Sequence, residues 1–176
     1  MDLALQLGKT ILIKPFLLSF LITLVSTPFV IRLAKYWGLV DDPKKRKHPA
    51  HTETRIIPRA GGISIFFGIL VGSALSVPFS KQLAGILLGA AIIVGTGIVD
   101  DKLDLNPYLR FVTNIVAATL AVGAGVGIAY VTNPFGPGVI HLDTLRFSFN
   151  FLGNHSVLIL ADLLAVLWII WCMNMV

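Results

Sequence analysis

The chain has 176 residues, of which 56% are apolar and 13% charged, with a net charge of +5 and one cysteine. Mean hydropathy is +0.85. A soluble domain of this size has too little polar surface to cover so much apolar side chain, and the same balance excludes intrinsic disorder. A single Cys172 excludes a disulfide scaffold. What remains is an all-α integral membrane protein. The basic residues cluster between apolar stretches, which points to anionic membrane lipids, phosphate and membrane orientation, with no nucleic acid partner.

A helix needs roughly 20 apolar residues to cross about 30 Å of hydrocarbon. Five stretches meet this: Thr10–Leu33, Gly61–Phe79, Gln82–Val99, Leu109–Val131 and Ser156–Val176. In the first, Lys14 stands near one end, where it can snorkel, and Pro15 and Pro28 lie toward the two ends. That stretch exceeds a signal-peptide core and lacks a small-residue cleavage site, so it reads as a span. Pro78 and the Phe79–Lys81 link predict a tight hairpin of the second and third spans. All five read as one membrane domain over 1–176.

Lysine and arginine orient the spans. The side holding segments 34–60 and 100–108 carries Arg32, Lys35, Lys44, Lys45, Arg46, Lys47, Arg55, Arg59, Lys102 and Arg110. The other side carries Lys9, Lys14, Lys81 and Arg146. The two loops are therefore expected in the cytoplasm and the N-terminus outside. Val176 ends a span with no charged flank, which predicts the N-terminal part of a longer protein.

The first cytoplasmic loop contains four consecutive cations, Lys44–Lys47, followed by His48 and His51. The run alone fits membrane anchoring or phosphate binding. Two histidines in so basic a loop repel a metal cation and read as solvent- or phosphate-facing. Gly61-Gly62 opens the second span, where paired glycines either expose backbone N–H groups to an anion or permit tight packing.

The second loop follows Asp100-Asp101, with Asp104 three residues later. Carboxylates at a helix C-terminus oppose the macrodipole, so their presence argues for function. Such a pair can hold Mg²⁺, which prefers oxygen ligands and keeps waters and substrate phosphates, or one of them can act as a base. Asp162, inside the fifth stretch, fits either a polar pathway or the outer headgroups.

Gly68-xxx-Gly72, Gly85-xxx-Gly89 and Gly123-xxx-Gly127 predict close helix packing. They leave a homodimer open without deciding it. On the outer side, Asn133–Gly138 is turn-rich, and the alternation in 139–142 and 145–149 predicts a small β-hairpin within 132–155.

Together the loops resemble a known family. Gly38-Leu-Val-Asp-Asp-Pro, then Arg46-Lys47-His48, then Pro58-Arg-Ala-Gly-Gly62, is similar to the first cytoplasmic signature of the polyprenyl-phosphate N-acetylhexosamine-1-phosphate transferases. Val99-Asp100-Asp101 with Leu105-Asn-Pro107 and Arg110 resembles the second, and the run from Leu167 to Asn174 resembles the approach to the next. The resemblance implies transfer of sugar-1-phosphate from a UDP-sugar to polyprenyl phosphate in the plasma (inner) membrane, yielding UMP and requiring Mg²⁺. The product would feed cell-wall or surface glycan synthesis, including peptidoglycan or lipopolysaccharide. It implies Asp100 and Asp101 as catalytic and Mg²⁺-holding residues, with Arg46, Lys47, His48, Arg110, Asn114 and Asn174 toward substrate. Arg110 stands where the family often has Lys, and Asn114 where Gln is frequent, so the fine contacts there stay open. The family's later loops supply another Asp and a His-rich segment, which implies that these 176 residues alone are inactive. A transporter fragment with Asp100, Asp101 and Asp162 as ion ligands is the alternative from another class. A non-catalytic assembly subunit gives no reason for three ordered signatures.

Overall fold

The computed structural model describes residues 2–41, 57–134, 136–142, 144–150 and 154–175. It divides into two compact units, Met1–Phe79 with Ala90–Pro107, and Ser80–Gly89 with Tyr108–Val176.

The first unit is built on α1 (Asp2–Trp37) and α2 (Gly61–Ser76). Two small residues of α2, Gly68 and Gly72, sit directly on α1. A Cβ on Gly68 would collide with Thr23 Oγ1 and lie 2.7 Å from the Ser19 carbonyl oxygen; one on Gly72 would lie 3.0 Å from Ser19 Cα. Only hydrogen at these positions lets the backbones approach, the expected use of a small-xxx-small stripe. Elsewhere α1 exposes Phe16, Phe20, Leu24, Val25 and Phe29, the apolar surface that a lipid-facing helix presents.

The end of α1 is set by Gly38, at φ +72°. Gly38 N–H donates to the Lys35 carbonyl at 3.3 Å and Leu39 N–H to the Ala34 carbonyl at 2.8 Å. This is a Schellman motif, with glycine where a left-handed residue is needed and an apolar contact behind it. Leu39, Ala34 and Ala60 form a buried cluster, with Val30, Ile63 and Ile98 packed against it. The chain continues into β1 (Val40–Asp41), which pairs antiparallel with β2 (Ile57–Pro58). Arg59 N–H then donates to the Leu39 carbonyl at 3.0 Å. The two ends of the first loop are thereby tied together at its neck. The Lys44–Lys47 run, His48 and His51 lie outside the described residues.

The helix α3 (Lys81–Leu103) contributes residues 81–89 to the second unit and 90–103 to the first. Ser80 starts it as an N-cap, its Oγ accepting the Leu83 N–H at 3.1 Å. In the second unit, α3 packs on α4 (Pro107–Gly123) through Gly85 and Gly89. A Cβ on Gly85 would overlap that of Ala124, and one on Gly89 would lie 2.8 Å from the Ala117 carbonyl oxygen. The third glycine pattern is not a packing stripe. Gly123 has open space beside it, and Gly127 lies beyond the helix, where a Cβ would stand 3.3 Å from Asp162 Oδ1.

Several element edges differ from the sequence expectation. α1 continues through both Pro15 and Pro28, so these prolines are interior. One turn before Pro28, the Thr23 carbonyl accepts the hydroxyls of Ser26 and Thr27 at 3.1 and 2.7 Å, the local side-chain bonding that accompanies proline in membrane helices. α4 stops well short of Val131, because Gly125 at φ +101° closes a second Schellman motif. Its N–H donates to the Val122 carbonyl at 2.8 Å, and Val126 N–H to that of Ala121 at 3.2 Å. The last helix, α5 (Ile159–Asn174), begins after residues 156–158, which belong to a strand.

Strands do form between α4 and α5, but not as the single expected hairpin. β3 (Tyr130–Thr132) pairs with β4 (Val139–His141), and β5 (Arg146–Asn150) with β6 (Asn154–Leu158), so 139–142 and 145–149 do not pair with each other. The turn-rich 133–138 segment is itself a hairpin loop, closed by Asn133 N–H on the Gly138 carbonyl at 3.1 Å. Its upstream strand was hidden at the tail of an apolar run.

Among the described residues, two helical segments are long and apolar enough to cross a membrane, Ile13–Trp37 and Lys81–Leu103. α2 and α5 are apolar but have 16 residues each, about 24 Å at 1.5 Å per residue.

Candidate active site

The aspartate pair stands in the last turn of α3. After Lys81-Gln82 this helix is apolar apart from Thr96, and it turns charged again at Asp100, Asp101 and Lys102. Its end is made by the acids themselves. Asp104 sits at φ +49°, and its N–H donates to the Asp100 carbonyl at 2.9 Å. That is a left-handed helix stop, a position that usually takes Gly and that Asp tolerates better than most residues. The Asp100 side chain completes the turn, Oδ1 accepting the Leu105 N–H at 2.9 Å. Of the three carboxylates, Asp104 thus has a backbone reason to be there, and Asp100 is oriented by the chain that follows it.

Asp101 faces a different partner. Arg59 Nη1 lies 3.9 Å from Asp101 Oδ1, within the first unit. The two side chains are 30% and 29% exposed, so the pair is partly open to water and contributes little to stability. Its placement is well determined on both sides. Arg59 follows β2 directly, and its backbone is held by Leu39. Ile98, three residues before Asp101 and hence on the same face of α3, packs against the Ala34–Leu39–Ala60 cluster. One apolar contact therefore brings the end of α3 to the neck of the first loop. Beside this neck, a half-open apolar hollow of about 220 Å³ runs between α1 and α2, walled by Thr27, Ala34, Ala60 and Ser64.

Among the described residues, no atom lies within 4 Å of where a Cβ on Gly61 or Gly62, next in the chain, would stand. Packing against the described residues therefore does not explain this glycine pair. The ligand atoms that Asp100 and Asp101 themselves offer are oxygens, which suit a hard cation. Among the described residues no group of three or more His, Cys, Asp or Glu gathers to hold a metal. Two carboxylates fit an ion that takes one or two protein ligands and completes its shell with water and substrate phosphate.

The remaining sequence candidates fall elsewhere. Arg46, Lys47 and His48 lie outside the described residues. Arg110 is exposed in the first turn of α4, and Asn114 is half-buried one turn later on the same face. Asn174, the last residue of α5, donates from Nδ2 to the Ile170 carbonyl at 2.8 Å. These three belong to the second unit. Asp162 is in the first turn of α5, and its Oδ2 accepts the Leu158 N–H at 2.9 Å. That is a local helix start, where a carboxylate also complements the macrodipole, and it leaves no need for an ion pathway. Arg59 was visible in the sequence only as one cation of the first signature. Its closeness to Asp101 depends on a contact between distant parts of the chain, which no local pattern reveals.

An apolar helical chain with a carboxylate pair at the end of a long membrane-type helix, approached by an arginine from a preceding loop, defines the class: a helical protein of membrane type. The sequence model of glycosyl transferase family 4 matches residues 83–176, more than half of the chain, and the protein belongs to that family. It is 34% identical over 125 residues to a probable undecaprenyl-phosphate N-acetylglucosaminyl 1-phosphate transferase of Bacillus subtilis, covering 70% of this chain and 34% of that protein. It is 33% identical over 134 residues to a decaprenyl-phosphate N-acetylglucosaminephosphotransferase of Mycobacterium tuberculosis, covering 70% and 32%. An undecaprenyl-phosphate alpha-N-acetylglucosaminyl 1-phosphate transferase of Salmonella typhimurium is 32% identical over 119 residues, covering 67% and 31%. The chain spans about a third of the length of these curated relatives. No solved structure matches it.

Proposed function

We propose that the complete protein transfers N-acetylhexosamine-1-phosphate from a UDP-sugar to polyprenyl phosphate, for cell-wall or surface glycan synthesis. The observation that carries this reading is the aspartate pair in the last turn of α3, with Asp100 oriented by Leu105 and Asp101 beside Arg59. Five crossings would place the 34–60 and 100–108 segments in the cytoplasm, within one membrane domain.

In the reaction, an oxygen of the lipid phosphate attacks the phosphorus that bears the sugar. The bond from that phosphorus to the bridging oxygen breaks, and UMP leaves with the oxygen and its electron pair. Reactants and product are all anions, so positioning and charge neutralisation are the main tasks. Asp100 and Asp101 are the catalytic pair, one positioning or deprotonating the lipid phosphate and the other helping to hold Mg²⁺. Bound Mg²⁺ would shield the diphosphate and stabilise the leaving group. Arg46, Lys47, His48, Arg110, Asn114 and Asn174 approach the substrates. The 176 residues alone are inactive on this reading, because the relatives extend well beyond the matched third.

The test is UMP release from UDP-N-acetylglucosamine by the complete protein in vesicles containing polyprenyl phosphate and Mg²⁺. Release that persists undiminished in both Asp100→Asn and Asp101→Asn contradicts the site.

A further inference from the structure

We infer that Arg59 is a positioning residue of the transfer site, acting through Asp101; the inference rests on the reaction proposed above. Three observations converge on it. First, Arg59 is held by its own backbone. It follows the β1–β2 pair, its N–H is bonded to the Leu39 carbonyl at 3.0 Å, and Ala60 beside it is buried against Ala34 and Leu39. Such an anchor limits where the long side chain can reach. Second, the facing element is anchored on the same cluster, through Ile98 on the Asp101 face of α3. The two ends of the contact therefore share one apolar base. Third, the pair is about a third exposed on both sides, so it is too wet to be a stability device and open enough to meet a substrate.

Arg59 gives the Asp101 carboxylate a direction. A guanidinium beside the carboxylate limits the orientations that the carboxylate can adopt. A displacement of about 1 Å at a reacting group costs up to about a hundredfold in rate, so a long-armed cation here has leverage out of proportion to its binding strength. At 3.9 Å the approach of Nη1 is a charge contact, longer than a hydrogen bond. Lysine keeps the charge at this contact, whereas a neutral side chain does not.

The experiment compares the complete wild-type protein with Arg59→Gln and Arg59→Lys, measuring UMP release in polyprenyl-phosphate vesicles and thermal unfolding in detergent. Arg59→Gln is expected to lower kcat about tenfold or more, with KM for both substrates within about threefold. Arg59→Lys is expected to recover most of the lost kcat. Both variants should unfold within about 2 °C of wild type, since an exposed pair carries little stability. A fully active Arg59→Gln overturns the inference. So does a higher KM at unchanged kcat, which would make Arg59 a direct substrate contact. A loss of kcat matched by a large drop in unfolding temperature in both variants would make Arg59 structural and overturns it as well. Active wild type with any of these results leaves the parent reading standing. A wild-type protein that releases no UMP defeats the parent reading, and this inference with it.

Discussion

The Asp100 carboxylate accepts the backbone N–H of Leu105 at 2.9 Å, closing the turn that ends α3. On the proposed reading this residue has two duties, a structural one at Oδ1 and a chemical one through its charge. The two separate by substitution. Asp100→Asn keeps an acceptor at the same place and is expected to unfold as wild type does while losing at least about a hundredfold in UMP release. Asp100→Ala is expected to lose the same activity and about 1 kcal/mol of stability besides. Denaturation in detergent, run beside the assay, distinguishes them.

Gly38 stands at φ +72°, and among the described residues no atom lies within 4 Å of where a Cβ would stand. Its requirement for glycine is conformational. Gly38→Ala is expected to cost about 1–2 kcal/mol, the penalty of a side chain in the left-handed region. The damage should spread to the Leu39 anchor, seen as faster hydrogen exchange at the Arg59 amide.

The glycines of α2 divide into two kinds. Gly68→Ala and Gly72→Ala are expected to destabilise by about 1–3 kcal/mol, because backbone atoms of Ser19 stand in the way. Gly61→Ala and Gly62→Ala meet none of the described residues within 4 Å and should leave unfolding unchanged or raise its midpoint slightly. Thermal unfolding of the four variants tests the contrast.

Asp162 separates the transferase reading from an ion pathway. Its carboxylate accepts the Leu158 N–H at the start of α5. Asp162→Asn preserves an acceptor and is expected to keep UMP release within about twofold, while Asp162→Ala loses about 1 kcal/mol of stability. A collapse of activity in Asp162→Asn at unchanged stability contradicts a purely local role.

The part of the candidate site that was legible in the sequence has local signals. Asp100-Asp101 violates the preference of a helix end for cations, and that anomaly is visible in a few residues. The glycine spacing in α2 and the first part of α3 announced their packing faces for the same reason. What stayed hidden depends on backbone conformation or on distant contacts. Gly125 stops α4 through a left-handed turn, which an apolar run does not disclose, and so Tyr130–Thr132 was absorbed into a span. The same concealment assigned the wrong partners to β4 and β5. Asp104 looked like a third functional acid until its φ of +49° gave it a structural reason. Arg59 was one cation among many in its signature, and only the shared apolar base of Ile98 and Leu39 brings it to Asp101.

The central claim is tested most directly by following the lipid product. The complete protein, UDP-N-acetylglucosamine labelled in the sugar and polyprenyl phosphate are incubated in vesicles with Mg²⁺, with excess chelator, and with Asp101→Asn in place of wild type. Wild type with Mg²⁺ is expected to give labelled polyprenyl diphosphate sugar and an equal amount of UMP, and the other two neither above background. Equal product from Asp101→Asn, or label released as free sugar phosphate without a lipid product, would contradict it.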